Sequence, residues 1–193
     1  MSSTAPRVIL DAESVSRTLA RIAHEIIERN EELADVALVG IHTRGVPLAR
    51  RLHALVRERS QADVPIGAVD ITFHRDDVAV RAGTAPRRTH PVVHGTELGF
   101  PLGGKTVILV DDVLYTGRTI RAAIDALLEY GRPDRVQLAV LVDRGHRELP
   151  IRPDYVGKNL PTAHDERVRV ELTETDGSDR VLLVTPTREK DDA

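Results

Sequence analysis

The chain has 193 residues, a net charge of −3 and no cysteine. This length fits one domain with a sizeable core, and the lack of cysteine excludes disulfides, thiolate catalysis and cysteine-based zinc sites. No apolar run approaches the roughly 20 residues that span a bilayer, and residues 1–6 lack the apolar core of a signal peptide. We therefore expect one domain over residues 1–193, acting in the cytoplasm without a membrane partner.

In chain order, continuous apolar runs, which are typical of buried strands, alternate with stretches in which apolar residues recur every three or four positions, as in helices. Asp11 precedes the first helical pattern and can cap it. Residues 74–104 form a long polar connection, and loops of that length are usually functional or partly disordered. The elements expected before this connection are a strand over 8–10, a helix over 12–29, a strand over 36–41, a helix over about 46–58 and a strand over 68–73.

The second half continues the same alternation. A buried strand over 107–110 leads into a helix that runs to Tyr130, with Gly131 ending it. Strands that alternate with helices predict an α/β fold with a parallel central sheet flanked by helices. The apolar face of that helix is expected to carry Ile120, Ile124, Leu127 and Leu128. The later elements are a strand over 138–142, an irregular basic stretch, and strands over 167–172 and 180–184.

One run combines paired acids with the start of a helix. Asp111 and Asp112 stand where the strand over 107–110 would end, and residues 116–119 are mainly small and hydroxyl residues that open the helix. Free amides at a helix N-terminus, together with the helix dipole, favour an anion there. Acids beside such an anion cradle suit a ligand with a phosphate at one end and vicinal hydroxyls nearby, and a ribose 5-phosphate fits that description.

A second phosphate-binding pattern precedes this run. Residues 99–106 match the Walker A spelling, but a P-loop must follow a strand and begin a helix. Here the preceding residues are not strand-like, and the residues after Thr106 form a strand. We interpret the match as accidental.

The run over 107–119 resembles the phosphoribosyl pyrophosphate (PRPP) signature of type I phosphoribosyltransferases. The resemblance implies that Asp111 and Asp112 hold the ribose 2- and 3-hydroxyls and that residues 115–119 wrap the 5-phosphate. It also implies one phosphoribosyltransferase domain with a flap over about 74–104 and a hood over about 144–165 that includes an N-terminal contribution. The contacts expected from this run are Asp111, Asp112, Val113, Leu114, Tyr115, Thr116, Gly117, Arg118 and Thr119.

Thr43, Arg44 and Gly45 form a turn after the strand over 36–41. A turn of small residues holding an arginine suits pyrophosphate, which needs backbone donors and a fixed cation, although an ordinary strand-to-helix turn has the same appearance. The resemblance assigns pyrophosphate to this turn, and we expect Arg44, Asp111 and Asp112 to be catalytic. Mg²⁺ is expected to bind mainly through PRPP, since no residue cluster has the spacing of a dedicated metal site. The candidates in the flap for contact with departing pyrophosphate are Arg75, Arg81, Arg87 and Arg88.

Tyr115 occupies the position at which purine enzymes of this superfamily usually carry a third acid, which favours a pyrimidine base. Residues 21–25, 70–77, 138–152 and 155–159 resemble the PyrR family of pyrimidine operon regulators and uracil phosphoribosyltransferases. This resemblance implies transfer from PRPP to uracil, giving UMP and pyrophosphate, with Arg144 and Val156 near the base or PRPP. The alternative is a purine-type phosphoribosyltransferase without RNA binding.

The PyrR resemblance also implies binding of a pyrimidine operon mRNA leader that responds to UMP or UTP, and a homodimer or higher homo-oligomer. Ala20 stands where relatives often carry a hydroxyl residue. The alternative for this surface is a solvated, salt-bridged face, since Glu25 and Glu28 are neighbours. The implied RNA-binding residues are Arg21, His24, Arg29, Arg147, Arg152 and Lys158.

Overall fold

The computed structural model describes residues 6–72, 74 and 95–185. Within these residues the elements alternate as expected for an α/β fold, with a short 3₁₀ turn over Leu33–Asp35. The helices and strands are β1 Arg7–Leu10, α1 Ala12–Arg29, β2 Val36–Ile41, α2 Gly45–Ser60, β3 Ile66–Val69, β4 Thr106–Leu114, α3 Arg118–Leu128, β5 Arg135–Asp143, β6 Tyr155–Asn159, β7 Arg167–Glu171, α4 Thr173–Asp176 and β8 Arg180–Val184.

The main sheet has five parallel strands in the order β3-β2-β4-β5-β6. Along β2, Leu38 faces a core formed with α1 and α2, whereas Ala37 and Val39 face a core formed with α3. Every residue of β2 is buried, as expected of a strand covered on both faces. The predicted fold class, a parallel sheet flanked by helices, is therefore confirmed.

A second, small sheet has the antiparallel order β1-β8-β7. Val170 and Val181 belong to the same apolar core as α1 and α2, so the small sheet is attached to that side of the main sheet. Within the hood predicted over 144–165, residues 155–159 form β6 and pair with β5. The N-terminal strand β1 instead joins residues that follow this segment.

Several element ends differ from the prediction. β3 stops at Val69, since the Asp70 carboxylate accepts a hydrogen bond from Thr72 N at 2.8 Å and closes a turn there. α3 ends at Leu128, and Leu128 is 40% exposed instead of lying on the apolar face. The Walker A interpretation is excluded, because Lys105 precedes a strand and donates to Ala34 O at 2.7 Å. None of the described helices is long and apolar enough to cross a membrane.

A buried polar network fixes α1 to the main sheet. The Tyr155 side chain is 0% exposed; its hydroxyl donates to Gln137 Oε1 and accepts from Asn30 Nδ2, both at 3.0 Å. Asn30 Nδ2 also donates to Ile26 O at 2.8 Å. The network thus joins the C-terminal end of α1 to β5 and β6, where an unpaired polar atom would lack water.

We predict that Tyr155→Phe lowers the free energy of unfolding by about 1–2 kcal/mol, because the Gln137 oxygen and the Asn30 amide lose a buried partner. Urea denaturation monitored by circular dichroism measures the change. Tyr130→Phe is the matched control, since Tyr130 is 56% exposed, and it is expected to change stability by less than about 0.5 kcal/mol. Equal stability of the two variants would contradict the role given to the network.

Candidate active site

The candidate site lies where strand pairing changes across the main sheet. β4 pairs with β2 up to Val110 but continues to pair with β5 up to Leu114. Asp111 and Asp112 are therefore inside β4, beyond its last pair with β2, and the prediction that the strand ends before them is wrong. β2 and β4 also lead to connections on opposite sides of the sheet, and ligands of such sheets bind at this switch point.

The two acids differ in their surroundings. Asp111 is 6% exposed, and its Oδ1 accepts a hydrogen bond from Asp112 N at 2.9 Å. Asp112 Oδ1 accepts from Val113 N at 2.8 Å. Burial raises the pKa of the Asp112 carboxyl, while the Val113 amide and the Arg44 charge oppose that increase. A ligand that brings hydroxyl groups or a cation to Asp112 would therefore stabilise a carboxylate that the protein alone does not favour.

Residues 115–119 form the turn that begins α3. Gly117 has φ +93°, a conformation that favours glycine, and α3 starts at the next residue. The Thr116 carbonyl accepts from the amides of Glu148 and Leu149 at 3.0 and 3.1 Å. Among the amides that open α3, that of Arg118 has an acceptor in the described chain, Thr116 Oγ1 at 3.3 Å. The other first-turn amides have no partner inside the helix, so this turn can bind an anion.

The second turn of the site follows β2. A Cβ on Gly45 would lie 2.2 Å from Val110 O, so glycine allows α2 to begin directly against β4. The His42–Thr43 peptide bond is cis. Arg44 and Asp112 line one cavity of about 330 Å³, together with Arg167 and other residues of β7. Arg44 of the predicted pyrophosphate turn and Asp112 of the predicted ribose acids thus share one cavity, which Asp111 does not line.

Arg44 is held by a residue that the sequence analysis did not identify. Its Nε and Nη2 donate to the two carboxylate oxygens of Asp176 at 3.2 and 2.8 Å. This contact raises the pKa of Arg44 and lowers the pKa of Asp176. Glu171, Glu174, Asp176 and Asp179 form an acidic segment. That concentration of acids was the available signal, but it does not show which arginine they meet.

Arg144 and Val156, which are both predicted to lie near the base or PRPP, lie in different parts of the structure. Arg144 is 6% exposed, its guanidinium carbon lies 4.0 Å from the Tyr115 ring centroid, and its Nε donates to Thr162 Oγ1 at 3.1 Å. It therefore braces the 115–119 turn from within. Val156 lines a separate cavity of about 470 Å³ and its carbonyl accepts from Arg21 Nη2 at 2.9 Å. The structure does not bring Val156 into the cavity that Arg44 and Asp112 share.

Of the six predicted RNA-binding residues, Arg29, Arg147 and Arg152 line that second cavity, and several of the six make hydrogen bonds within the fold. Arg21 donates to the carbonyls of Val156 and Gly157, and Arg29 donates to Asp154 O. Arg147 pairs with Asp143 and donates to Tyr115 O at 2.8 Å. The face is thus partly salt-bridged, as the alternative interpretation expected: His24 contacts Glu28 at 3.2 Å and Arg21 pairs with Glu25.

The side chains of Arg152 and Lys158 differ from those of the other predicted RNA-binding residues in their contacts. Neither makes an ion pair or a side-chain hydrogen bond with another residue in the described part of the chain. Both charges are therefore available to a partner. The predicted flap residues Arg75, Arg81, Arg87 and Arg88 lie outside the described residues.

The comparisons with known proteins agree with this fold and show the family. A model of the phosphoribosyl transferase domain matches residues 8–174, which places the chain in the class of phosphoribosyltransferases. Two relatives, each called Bifunctional protein PyrR, come from Roseiflexus sp. (strain RS-1) and Deinococcus deserti. They are 58% and 59% identical to this chain, over 93% of its length and 95% and 96% of theirs. The chain belongs to the PyrR family of phosphoribosyltransferases.

Solved structures show the same fold. The hypoxanthine phosphoribosyltransferase of Trypanosoma cruzi has a TM-score of 0.67 at 14% identity, covering 94% of this chain and 97% of that one. A hypoxanthine-guanine phosphoribosyltransferase from Bacillus anthracis has a TM-score of 0.65 at 18% identity, covering 96% and 100%. At these identities the likeness concerns the fold alone.

We predict that Asp112→Asn stabilises the fold at neutral pH. Because the folded pKa of Asp112 is raised, the native state binds its proton more tightly than the unfolded chain does. The stability of the wild type therefore falls as pH rises from the unfolded pKa of about 4 through the folded pKa. Above the folded pKa this loss of stability stays constant. Thermal midpoints measured between pH 3.5 and 8 should show the variant above the wild type at pH 8, with the difference vanishing near pH 3.5.

Asp125→Asn is the control for this experiment, since the Asp125 side chain is 53% exposed. It is expected to shift the midpoint little and with no such pH dependence. A destabilised Asp112→Asn at pH 8 would contradict the assignment of burial as the main influence on the Asp112 pKa.

Proposed function

We propose that this protein transfers a phosphoribosyl group from PRPP to uracil, giving UMP and pyrophosphate, and that it binds a pyrimidine operon mRNA leader in response to UMP or UTP. The enzymatic part rests on one observation. Arg44 and Asp112 line one cavity at the switch point of the parallel sheet, and the strand that carries the acids leads into the turn that opens α3. That set offers a diol contact, an anion cradle and a cation at one edge.

The geometry supports transfer by positioning and electrostatics. The bond from ribose C1 to the pyrophosphate oxygen breaks, the bond from C1 to uracil N1 forms, and the N1 proton is lost. Asp111 and Asp112 would fix the ribose through its hydroxyls while the 115–119 turn binds the 5-phosphate. Arg44 would then lie beside the departing pyrophosphate and offset its charge.

Mg²⁺ fits this site as an ion carried by the substrate. The described residues include no group of three or more side chains that could hold a metal, whereas Asp111 and Asp112 offer the hard oxygen atoms that Mg²⁺ prefers. Mg²⁺ would neutralise part of the charge of the pyrophosphate group when bound. Asp112, with its raised pKa, would be stabilised as a carboxylate by that ion.

The choice of uracil over a purine rests on Tyr115. Its ring lies under the Arg144 guanidinium and meets His146 edge-on at 6.1 Å between ring centroids. The position that purine enzymes usually give to an acid therefore holds a packed aromatic side chain that cannot serve as that acid. The purine-type alternative is favoured only by the similar folds of hypoxanthine enzymes, which carry no information on the base at these identities.

We predict that the wild type forms UMP from uracil and PRPP with Mg²⁺, and that Asp112→Asn lowers kcat/KM by about ten- to a hundredfold. A charged hydrogen bond to a sugar hydroxyl contributes about 1.5–3 kcal/mol, and tenfold corresponds to about 1.4 kcal/mol. Chromatographic detection of UMP measures turnover, with hypoxanthine and guanine as competing substrates. Activity on hypoxanthine with none on uracil would establish the purine-type alternative.

RNA binding is supported by the basic side chains of the second cavity, which also carries acids. Arg29, Arg147 and Arg152 line it beside Glu25, Asp143 and Asp154, and Lys158 precedes the lining residue Asn159 in the sequence. Because Arg21, Arg29 and Arg147 also hold the fold together, their removal would disturb more than a phosphate contact. Arg152 and Lys158 are therefore the residues that test the surface. The homodimer or higher homo-oligomer expected from the PyrR resemblance stays a prediction.

We predict that the double variant Arg152→Ala and Lys158→Ala weakens leader RNA binding and reduces the slope of log affinity against log salt by about 1.4–1.8, the value for two phosphate contacts. Gel shifts over a series of salt concentrations, with and without UMP, measure this slope. Arg59→Ala is the control, an exposed arginine in the last turn of α2. An unchanged slope in the double variant would show that RNA, if bound, uses another surface.

A further inference from the structure

Arg44 is engaged on one edge only. The bidentate contact with Asp176 uses Nε and Nη2, and no other described residue accepts a hydrogen bond from Arg44. A guanidinium has five donors in a planar fork, so the edge that carries Nη1 stays available. The Arg44 side chain is 35% exposed and lines the cavity that it shares with Asp112.

Asp176 is itself held in place. Its Oδ2 accepts from the Leu172 amide at 3.0 Å and from Thr175 Oγ1 at 2.6 Å, in addition to Arg44 Nε. The carboxylate thus has three kinds of donor around it, and its side chain is 22% exposed. These donors, first among them Arg44, hold the pKa of Asp176 well below its usual range, so it is ionised at neutral pH.

The neighbouring arginine Arg51 makes a contact with the same segment that serves only the fold. Arg51 lies two turns after Arg44 on α2. Its Nη1 and Nη2 donate to Asp179, each at 2.8 Å, and its Nε donates to Glu174 at 2.8 Å. Both edges of Arg51 are therefore occupied, whereas Arg44 keeps one edge for the cavity. Arg51 therefore fixes the segment over 173–179 to α2 through contacts that are separate from the contact of Arg44 with Asp176.

We propose that Asp176 is a positioning residue for Arg44. It fixes one edge of the guanidinium so that the other edge is presented to the pyrophosphate group of PRPP, a role that rests on the proposed function of the cavity. Without Asp176 the long arginine side chain would sample several rotamers before binding, and ordering it on binding would weaken affinity. Asp176 comes from the segment between β7 and β8, so the small sheet contributes to the site of the main sheet.

The test is Asp176→Asn, which keeps the size of the side chain and removes its charge. We expect the KM for PRPP and the inhibition constant of pyrophosphate to rise together by about three- to tenfold, the cost of ordering one long side chain. The KM for uracil and kcat should change less than twofold. Asp176→Glu, which restores a carboxylate, should recover most of the PRPP affinity.

Two further variants separate positioning from stability. Glu174→Gln weakens the Arg51 clamp but leaves Asp176 intact, and it should lower the thermal midpoint while the KM for PRPP stays within twofold. In an Arg44→Ala background, Asp176→Asn should have no further effect on the KM for PRPP, because Asp176 acts through Arg44. Additive effects in the double variant, or tighter PRPP binding by Asp176→Asn, would overturn the proposal.

Measurements on the wild type show whether a failure concerns the role of Asp176 or the proposed function of the cavity. Calorimetric titration with pyrophosphate and Mg²⁺ should show binding by the wild type and loss of binding by Arg44→Ala. If the wild type binds no pyrophosphate and turns over no PRPP, the proposed function fails. If it does both and Asp176→Asn behaves like the wild type, only the role of Asp176 fails.

Discussion

The unequal pairing of β4 is the constraint on which the site depends. On one side its partner β2 turns away after the pair of Gly40 with Val110, and on the other side β5 continues to Leu114. The acids of β4 are therefore held in extended backbone by one neighbour while the other side opens as a crevice. Gly45 closes the base of that crevice, because only a residue without a side chain allows α2 to begin against Val110 O. The pairing of β4 with β5 and the close approach of Gly45 to Val110 therefore fix the geometry of the site before any ligand binds.

The same arrangement places a carboxylate, that of Asp112, where the protein alone does not favour its charge. Asp112 has a raised pKa because of burial, and Arg44 is shared between a carboxylate and an open cavity. An apolar residue at position 112 would suit the fold better, since a buried charge costs free energy unless it is fully paired, whereas the charge of Arg44 is favoured by its contact with Asp176. Such a cost is characteristic of functional sites, and the proposed diol and bound cation would offset it at Asp112.

The sequence predicted the local order of strand, acids and helix start better than the pairing of the strands. The positions of Asp111, Asp112 and the 115–119 turn could be predicted because a buried strand, two acids and a helix start are all local signals. The extension of β4 through the acids was missed, since it depends on pairing with β5 and not on local propensity. β6 was missed because Tyr155–Asn159 is short and only its first residues are apolar. Asp176 could not be found, because it meets Arg44 across 132 residues of chain.

The two proposed activities share a residue, and this determines how they can be separated. Arg147 lines the cavity of the proposed RNA surface, yet its Nη1 donates to the carbonyl of Tyr115 in the turn assigned to the 5-phosphate. The Arg147 side chain is also held by the Ile151 carbonyl and by Asp143, so its position is fixed by the turn and by β5 together. The contact therefore links the turn proposed for the 5-phosphate to the surface proposed for RNA. Removal of Arg147 would damage both functions together, whereas Arg152 and Asp176 each affect one.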